Sequence, residues 1–455
     1  MSGAGPDPAV AARMVEVTEE ILARAPETAI EPTLDRVARV MDLMGEPQRS
    51  FGVIHVTGTN GKTSTSRMIE RLLREVGLNT GRFTSPHLHD LRERIAIAGE
   101  PVSPERFLAA YDDVLPFVQL ADEESVAAGG PRMTFFEVLT CVAFAAFADA
   151  PVDIAVLEVG LGGSWDATNV ADGAVAVVTP IAIDHTRYLG DSLESIATEK
   201  AGIIKPGAIA VLGSQESEAM QILLDRADEV DASVHPEGLG FGVLERTLAV
   251  GGQQLSLRSL AGDYPDLFLP LFGEHQAHNA ALAVAAVEAF VGGGEQPLDI
   301  DLVRAAFEAM TSPGRLEVVR RSPTVVVDAA HNPAGVTALV EAVRDSFTFH
   351  RLVGLVAVLE DKDAEAMLQL LEPVLDHIVV SRNTSPRSIR PARLGELAAE
   401  IFGEDRVTVV PDLPDALDTA AGLADEGGMS GAVLATGSVV TAAEVRMLLG
   451  VTSTS

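Results

Sequence analysis

A lysine at the end of a glycine-containing turn is the first sign of chemistry in this sequence. Val53–Val56 form a short apolar run, the turn Thr57-Gly-Thr-Asn-Gly61 follows, and Lys62 precedes a stretch with apolar residues at helical spacing. The N–H groups of a first helical turn have no intrahelical partner, and the helix dipole adds partial positive charge there. A strand, a glycine turn and a helix N-terminus carrying a lysine are typical of a phosphate site.

The motif is a shortened variant of the P-loop G-x-x-x-x-G-K-[ST], because Val56 stands where the first glycine is usual. Gly58 and Gly61 would let the backbone approach an oxyanion closely. Lys62 would meet the β- and γ-phosphates of a nucleotide, and Thr63 would lie beside them. A strand-to-helix turn without a ligand is the alternative interpretation.

A carboxylate closes a second apolar run. Glu158 lies near the end of Ile154–Val159, and three glycines follow in Gly160-Leu-Gly-Gly163. In parallel α/β sheets, ligands bind at the carboxyl ends of the strands, and carboxylate oxygens are preferred by Mg²⁺. We therefore expect Glu158 to be a Mg²⁺ ligand beside the phosphate turn. A solvent-exposed Glu at a strand end is the alternative.

Lysine is rare in this chain: only Lys62, Lys200, Lys205 and Lys362 occur among 33 basic residues. Lysine offers a compact ammonium or a reactive neutral amine, and arginine offers neither. Lys62 and Lys200 are therefore candidates for function, with compositional accident or a solvated surface charge as the alternative for Lys200. His185 follows an apolar segment, so its spacing fits a core histidine as well as a ligand.

Composition excludes several classes of protein. The formal charge of −33 argues against a general affinity for nucleic acid or an anionic membrane. A single cysteine, Cys141, excludes an internal disulfide and any multi-cysteine metal site. No apolar run is long enough to cross a membrane, and the N-terminal sequence lacks the basic and apolar regions of a signal peptide. We expect a cytoplasmic protein with neither nucleic acid nor membrane as a partner.

At 455 residues, the chain is expected to form two domains, or three. A boundary is predicted near Ser312–Glu317, which divides the chain into residues 1–312 and 313–455. After it, alternating strands and helices predict a doubly wound sheet. Its strands are Thr324–Asp328, Leu352–Val358, His377–Val380, Val407–Val410 and Ala432–Thr436.

Three stretches are assigned from local pattern alone. Residues 121–132 (ADEESVAAGGPR) predict a flexible surface loop because they are polar and glycine-rich. Glu199–Lys205 predicts a strand-turn region, and Thr247–Leu257 predicts a single strand.

The chain also carries a series of short blocks, in the order Gly58-Thr-Asn-Gly-Lys-Thr63, Phe83-Thr-Ser-Pro-His-Leu88, Arg92-Glu-Arg94, Thr134-Phe-Phe-Glu137, Leu157-Glu-Val-Gly-Leu-Gly-Gly163, Asp166-Ala-Thr-Asn169, Asp184-His185, Glu199-Lys-Ala-Gly-Ile203, His275-Gln276 with Asn279, and Asp328-Ala-Ala-His-Asn-Pro333. Their order and joint presence resemble the folylpolyglutamate synthase and dihydrofolate synthase family, part of the Mur ligase superfamily. The peptidoglycan Mur ligases share the P-loop, the DH pair and the later lysine. The TSPHL, RERI, LEVGLGG and DATN blocks are similar to the folate branch.

This resemblance implies an α/β protein. A P-loop ATP-binding domain with a central, mostly parallel sheet would be followed by a smaller Rossmann-like C-terminal domain, and the active site would lie between them. The resemblance implies that ATP is bound by Gly58, Thr59, Asn60, Gly61, Lys62, Thr63, Ser64, Asn279, Arg315, Asp328 and His331.

The resemblance also implies a metal centre. Ser85 and Glu158 would bind one Mg²⁺, while His185 and Lys200 would bind or support a second. Lys200 is carbamylated in this family, and carbamylation suits the chemistry because CO₂ converts the amine into an anionic oxygen ligand. An arginine cannot undergo that change.

Thr134, Phe136 and Asp166 are similar to the pteroyl-binding positions of the family. Ser164 departs from the pattern, since an arginine commonly stands there, and the contact made by that arginine is therefore not expected in this chain. The implied partners are small molecules only, and a monomer is expected.

The implied reaction is ATP-dependent addition of L-glutamate to dihydropteroate, to reduced folates, or to both, through an acyl phosphate. Lys62, Glu158, His185 and Lys200 would be the catalytic residues. One alternative is a related ligase for another carboxylate, such as a peptidoglycan precursor. An alternative of another class is a nucleotide-dependent switch or binding protein that forms no bond.

Overall fold

The computed structural model describes residues 7–26, 31–426 and 431–451, which form two compact units. The first unit contains the described residues of 1–245, 255–267 and 278–309, and the second contains those of 246–254, 268–277 and 310–455. The division at residue 312 stays a prediction. The units differ from it because two short earlier segments, 246–254 and 268–277, belong to the second unit.

The strands are β1 Gly52–Thr57, β2 Thr80–Phe83, β3 Ile95–Ile97, β4 Glu100–Pro101, β5 Ile154–Glu158, β6 Val175–Val178, β7 Ile209–Leu212, β8 Ser233–Pro236, β9 Gly242–Ala249, β10 Gly252–Arg258, β11 Asp263–Leu269, β12 Glu317–Arg321, β13 Thr324–Val327, β14 Arg351–Val356, β15 His377–Val380, β16 Val407–Val409 and β17 Gly431–Thr436.

The helices are α1 Pro8–Leu22, α2 Asp35–Leu43, α3 Lys62–Glu75, α4 Pro104–Ala127, α5 Phe135–Asp149, α6 Thr186–Leu189, α7 Leu193–Ala201, α8 Ser217–Glu229, α9 Glu274–Gly292, α10 Ile300–Glu308, α11 Pro333–Ser346, α12 Ala364–Leu371, α13 Pro391–Phe402, α14 Leu413–Asp425 and α15 Val439–Leu448.

The first unit is built on an eight-stranded sheet of order β4-β3-β2-β5-β1-β6-β7-β8. Strands β2, β5, β1, β6, β7 and β8 run parallel, and β3 and β4 extend one edge in antiparallel fashion. In the register, Val56 pairs with both Glu158 and Val177, so β1, β5 and β6 end at the same level. The loops that follow these strands therefore meet at one edge of the sheet.

Apolar layers cover both faces of this sheet. Helices α1, α2, α4 and α5 pack over β1, β2 and β5, and α7 and α8 pack beside them on the same face, over β6 and β7. Helix α9 lies on the opposite face, where its Phe290 ring lies against Gly52. Strand β1 reads Gly-Val-Ile-His-Val-Thr and is buried on both sides, as expected for a central parallel strand.

The second unit is built on a six-stranded sheet of order β12-β13-β17-β14-β15-β16, in which only β12 is antiparallel. Helices α11, α12 and α13 cover one face, and α14 and α15 cover the other. All five predicted strands of this sheet are present. The predicted α/β fold class is confirmed, and β12 is the one strand of this sheet that the sequence pattern did not indicate.

Three local predictions are wrong. Residues 121–127 belong to α4, in which Ala121 and Asp122 are buried. The Asp122 carboxylate accepts a hydrogen bond from the Met133 N–H at 2.7 Å and pairs with Arg24 at 2.9 Å. Asp122 is polar because it pairs with Arg24, and the helix continues through a sequence whose composition is typical of a loop.

Residues 199–201 belong to α7, which ends at Ala201, where a strand-turn region was predicted. The stretch from Thr247 to Leu257 is two strands, because the chain turns at Gly251 with φ +83° between β9 and β10. Among the described residues, no helix is long and apolar enough to cross a membrane.

Candidate active site

The glycine turn after β1 is shaped by two close approaches. Gly58 has φ +139°, and a Cβ added there would lie 2.7 Å from the carbonyl oxygen of Thr179 and closer still to its hydroxyl. Gly61 has φ +89° and caps α3, so the backbone changes from strand to helix within four residues. Residues with a side chain rarely adopt such positive φ values, and this explains why glycine occupies both positions. The predicted strand, turn and helix are therefore present around Lys62.

Both predicted lysines bind the same backbone oxygen. The Nζ atom of Lys62 donates to the carbonyl oxygens of Gly58 at 3.0 Å and Thr59 at 3.1 Å. The Nζ atom of Lys200, at the end of α7, donates to the Gly58 oxygen at 2.8 Å. Two lysine side chains therefore converge on the turn that precedes α3.

Lys200 lies in an unusual environment for an amine. The residue is 4% exposed, and burial lowers its pKa to about 7, with the nearby charge of Lys62 acting in the same direction. Asp184, Asp166 and Glu199 oppose the shift. A substantial fraction of neutral amine is therefore present near neutral pH, and a neutral amine is nucleophilic.

Glu158 is 1% exposed at the end of β5. Its Oε1 atom accepts a hydrogen bond from the Thr63 hydroxyl at 2.9 Å, and its Oε2 atom lies 3.4 Å from the donating Ser85 N–H. The predicted ligand pair Ser85 and Glu158 is therefore brought together with Thr63 of the P-loop. A solvent-exposed carboxylate at the strand end is excluded.

A small cavity, open to solvent, lies beside these groups. Its walls combine the P-loop, the glycine loop after β5 and the segment around His185. The lining residues are Gly58, Thr59, Lys62, Val159, Gly160, Leu161, Asp184, His185, Leu189 and Lys200.

His185 lies at the wall of this cavity, and its position depends on its backbone. It has φ +52° and precedes α6, and its side chain is 40% exposed. The Asp184 carboxylate accepts the His185 N–H at 2.7 Å and lies 3.8 Å from its Nε2 atom. His185 is therefore an accessible side chain at the cavity, and the interpretation as a core histidine is wrong.

The remaining predicted nucleotide contacts of the first unit surround the turn. Asn279, on α9, is buried, and a Cβ added at Gly61 would lie 2.7 Å from its Oδ1 atom. The Thr59 hydroxyl donates to the carbonyl oxygen of Ala182 at 3.0 Å. Asn60 lies within the turn, and Ser64 is buried in the first turn of α3.

Asp166 holds the glycine loop. Its Oδ2 atom accepts the Leu161 N–H at 2.9 Å, and its Oδ1 atom accepts the N–H of Thr168 at 3.0 Å together with that residue's hydroxyl. The Thr168 hydroxyl lies 2.9 Å from Nε2 of the fully buried His55 on β1. Burial raises the pKa of Asp166 and lowers that of His55 to about 3. In this structure, Asp166 positions a wall of the cavity.

Ser164 packs against the end of α7. Its N–H and its hydroxyl both donate to the carbonyl oxygen of Glu199 at 3.0 Å. A Cβ added at Gly202 would lie 2.6 Å from the Ser164 Cα atom, so the two segments touch along their backbones. The loop that carries Ser164 therefore caps the helix that carries Lys200.

Thr134 and Phe136 lie at the start of α5. The Thr134 hydroxyl accepts the Glu137 N–H at 3.3 Å, and the Glu137 carboxylate accepts the Thr134 N–H at 2.7 Å, which is a capping box. The Phe136 ring lies against Gly160, where an added Cβ would be 2.5 Å from its Cζ atom. Phe136 therefore adjoins the glycine loop, and Thr134 caps the helix that carries Phe136.

In the second unit, Arg315, Asp328 and His331 gather where β13 ends. Asp328 is buried and accepts the N–H groups of Leu316 and Ala330, each at 2.8 Å. Burial raises the pKa of Asp328, and the positive charge of Arg315 opposes this shift. The Nδ1 atom of His331 lies 2.9 Å from the Ala329 carbonyl oxygen, which can only accept, so Nδ1 carries a proton.

Comparison with known proteins gives the family. The family model of the Mur ligase middle domain matches residues 118–287. The family model of the glutamate ligase domain of Mur ligases matches residues 314–439. The chain is 50% identical to the dihydrofolate synthase/folylpolyglutamate synthase of Mycobacterium tuberculosis, over 99% of this chain and 96% of that protein.

The chain belongs to the folylpolyglutamate synthase family.

Solved structures of folylpolyglutamate synthases share its fold. The M. tuberculosis enzyme complexed with ADP and AMPPCP is similar with a TM-score of 0.92 and 50% identity, covering 97% of this chain and 99% of that chain. A folylpolyglutamate synthase (FPGS) complex with AMPPCP and folate gives a TM-score of 0.83 at 30% identity, covering 96% and 99%. As a member of this family, the chain is an ATP-dependent ligase.

The family's magnesium chemistry fits the donors around Glu158. Mg²⁺ prefers oxygen ligands and is usually held by one or two carboxylates, with water and substrate phosphates completing its shell. A buried carboxylate beside the Thr63 hydroxyl oxygen meets that requirement, and the backbone of Ser85 lies next to the same carboxylate. In the part of the chain that the structure describes, no three His, Cys, Asp or Glu side chains are grouped to hold a metal. A synthase that shares its metal with nucleotide phosphates needs no such group.

The sequence did not indicate several residues of this candidate site. Asp184 lines the cavity, yet the sequence analysis identified the Asp184-His185 pair and gave a role to His185 alone. Gly160 and Leu161 form a wall, and the glycine-rich run was the available signal. No local signal indicated His55, because a histidine within an apolar strand gives no sign of its partner Thr168.

Proposed function

We propose that this protein joins L-glutamate through an amide bond to a pteroyl substrate, using ATP, and that it accepts both dihydropteroate and reduced folates. One observation carries the proposal: Lys62 and Lys200 converge on the Gly58 oxygen beside the buried Glu158, in a chain 50% identical to a dihydrofolate synthase/folylpolyglutamate synthase. A folate-bound relative at 30% identity supports the substrate class.

The reaction requires an activated carboxylate, because a free carboxylate is a poor electrophile. A carboxylate oxygen of the pteroyl substrate attacks the γ-phosphorus of ATP, the bond to ADP breaks, and an acyl phosphate forms. The α-amine of glutamate then attacks the acyl carbon. Inorganic phosphate leaves and the amine loses a proton, which gives the amide.

The residues of the first unit divide this work. Lys62 and the N–H groups at the start of α3 bind the β- and γ-phosphates and offset charge on the transferred group. Asn279, beside Gly61, contacts the base of ATP. In the second unit, Arg315, Asp328 and His331 also contact ATP. Thr134, Phe136 and Asp166 hold the pteroyl group, and the cavity walls keep water away from the acyl phosphate.

Two magnesium ions belong to this proposal. Ser85 and Glu158 would hold one, and His185 and a carbamylated Lys200 would hold or support the other. When bound, Mg²⁺ supplies positive charge that stabilises the oxygens of the transferring phosphoryl group. The pKa of about 7 supports carbamylation of Lys200, because CO₂ reacts with a neutral amine.

The test is phosphate release with ATP, Mg²⁺ and L-glutamate, run in parallel with 7,8-dihydropteroate, with tetrahydrofolate and with neither. Release with both pterins is expected, and mass spectrometry should show one added glutamate residue in each product. If only one pterin stimulates phosphate release, the protein has that single activity and the proposal of two activities is wrong. Without stimulation by either pterin, the folate assignment would fail, and UDP-muramoyl substrates of related ligases would be tested next.

The remaining parts of the proposal concern location and assembly. We propose a cytoplasmic monomer that binds small molecules and neither nucleic acid nor membranes, which the formal charge of −33 supports. Light scattering after gel filtration would give the molar mass, and a value near twice 47.7 kDa would contradict the monomer.

A further inference from the structure

The first turn of α5 contacts both loops that approach Glu158. The Phe136 ring lies against Gly160 of the glycine loop, and its centroid is 5.6 Å from that of Phe83, the last residue of β2. Two residues after Phe83, the chain reaches Ser85. The position of Phe136 therefore affects the glycine loop and the loop that carries Ser85.

The neighbouring ring reaches the same loop by a second route. The guanidinium carbon of Arg94 lies 5.1 Å from the centroid of the Phe135 ring, a cation–π contact. Arg94 in turn donates from Nε to Nδ1 of His87 at 2.9 Å. A shift of the first turn of α5 would therefore be felt in the Ser85–Leu88 segment.

This turn is fixed by the capping box, and the capping box is fixed by Arg36. Glu137 uses Oε2 to accept the Thr134 N–H at 2.7 Å, and its Oε1 accepts a hydrogen bond from Arg36 Nε at 3.1 Å. Arg36 is 6% exposed on α2, and Glu31 pairs with its other end at 2.6 Å. Without Arg36, the buried Glu137 carboxylate would lose its cationic partner, which is a costly state.

We propose that Arg36, which lies far from the reacting groups in sequence, is a positioning residue for the pteroyl substrate. It holds Glu137, which orients Thr134 and Phe136. The inference rests on the proposed function, because it takes Thr134 and Phe136 as pteroyl contacts. These contacts reach the glycine loop and the Ser85 loop, and none of them reaches the phosphate-binding turn, so pteroyl binding should fall more than ATP binding.

The experiment compares four variants of the full chain with the unaltered protein. Arg36→Gln removes the charge, and Arg36→Lys keeps a cation that can still reach Glu137. The double variant Arg36→Gln/Glu137→Gln replaces the ion pair by two neutral amides, and glutamine is also accepted at this position of a capping box. Arg39→Gln is the matched control, because Arg39 lies on the same helix, is 40% exposed and pairs with Glu124 at 2.9 Å.

Each variant is assayed for the KM of dihydropteroate, the KM of ATP, kcat, and equilibrium binding of folate by fluorescence. For Arg36→Gln, we expect the KM of dihydropteroate and the Kd of folate to rise at least about tenfold, since small misplacements at a binding site are costly. The KM of ATP should stay within about twofold. Arg36→Lys should recover part of the loss, the double variant most of it, and Arg39→Gln should behave like the unaltered protein.

Three results would overturn the inference. Unchanged pteroyl binding in a folded Arg36→Gln variant is one, and an equal loss of ATP affinity, which indicates general damage, is another. If Arg36→Gln fails to fold, Arg36→Lys decides. In that variant, pteroyl affinity that is unchanged, or that falls in parallel with ATP affinity, would reject the role. If the unaltered protein binds no pteroyl ligand, the proposed function itself fails.

Discussion

The Nζ atom of Lys200 donates to the carbonyl oxygen of Gly58 across 2.8 Å, although the two residues are 142 positions apart. This contact attaches the end of α7 to the P-loop and brings a buried amine with a pKa of about 7 next to Lys62. A solvated surface lysine would have neither this contact nor this lowered pKa.

Replacing Lys200 should reveal whether carbamylation matters. We expect Lys200→Ala to lower kcat by at least about 100-fold, because charge stabilisation in a closed site contributes effects of that size. The unaltered protein should gain activity when CO₂-free buffer at pH 8 is supplemented with bicarbonate, and Lys200→Arg should not. The sign follows from the lowered pKa: above pH 7 most of the amine is neutral, and below it the amine is protonated and unreactive.

Lys205→Arg is the matched control for this experiment. Lys205 is half-buried nearby and donates to the Asn169 carbonyl oxygen at 3.1 Å, a contact that arginine can also make. The control should keep most of its activity and its response to bicarbonate. Full activity of Lys200→Ala in CO₂-free buffer would contradict the carbamate role.

Glu158→Gln should separate metal binding from nucleotide binding. The amide keeps the shape of the side chain and can still accept the Thr63 hydroxyl, whereas its neutral oxygen is a weaker ligand for Mg²⁺. We expect kcat to fall by roughly 100-fold, with the Mg²⁺ concentration at half-maximal rate raised. The affinity for ADP without Mg²⁺ should change little. Glu75→Gln serves as a control, because Glu75 ends helix α3, whose first turn carries Thr63. An unaltered Mg²⁺ titration in Glu158→Gln would reject the ligand role.

His55 should make stability depend on pH. Burial lowers its pKa from 6.5 to about 3, so between these values the unfolded chain binds more protons than the folded one. Stability from neutral His55 is therefore present above pH 6.5 and is lost as pH falls toward 3, with a steepest slope of about 1.4 kcal/mol per pH unit. The urea concentration at the midpoint of unfolding should therefore decrease as the pH is lowered from 7 to 5.

His55→Gln should reduce this fall, because its amide can still donate to the Thr168 hydroxyl without titrating. His87, whose pKa burial also lowers to about 3, contributes in the same direction and should account for part of what remains. Equal changes of the urea midpoint in His55→Gln and the unaltered protein would show that His55 does not cause the effect.

Ser164 should tolerate loss of its hydroxyl and resist enlargement. In Ser164→Ala, the Glu199 carbonyl oxygen keeps the bond from the residue 164 N–H, so we expect a loss of about 1 kcal/mol in stability and nearly normal kcat. Ser164→Arg must fit a long side chain where the loop touches Gly202, so the melting temperature and kcat should both fall further. A Ser164→Arg variant as active and stable as the unaltered protein would show that this contact does not position Lys200.

The sequence predicted the elements of the site better than their partners. The P-loop was identifiable because a strand, two glycines, a lysine and a helix follow one another within about fifteen residues. Asp122 shows where local pattern fails: its polarity indicated a loop, whereas its actual surroundings are Arg24 and the Met133 N–H. The same holds for Lys200, since its contact with Gly58, 142 positions away, is not encoded in neighbouring residues.

The roles taken from family resemblance agree with the geometry to different degrees. Glu158 and Ser85 lie together as that resemblance implies. Asp166, expected beside the pteroyl group, has both carboxylate oxygens engaged with Leu161 and Thr168. This carboxylate holds the glycine loop in place, and the motif could not reveal that because the hydrogen bonds depend on the tertiary fold.

The approach of Gly61 to Asn279 also has an evolutionary consequence. A side chain at position 61 is disfavoured by the positive φ, and it would also meet the Asn279 Oδ1 atom at 2.7 Å. Two independent barriers therefore stand against any single substitution of this glycine. Descendants of this sequence should keep both residues, or exchange them as a pair with a shift of α9, so positions 61 and 279 would be inherited as one unit.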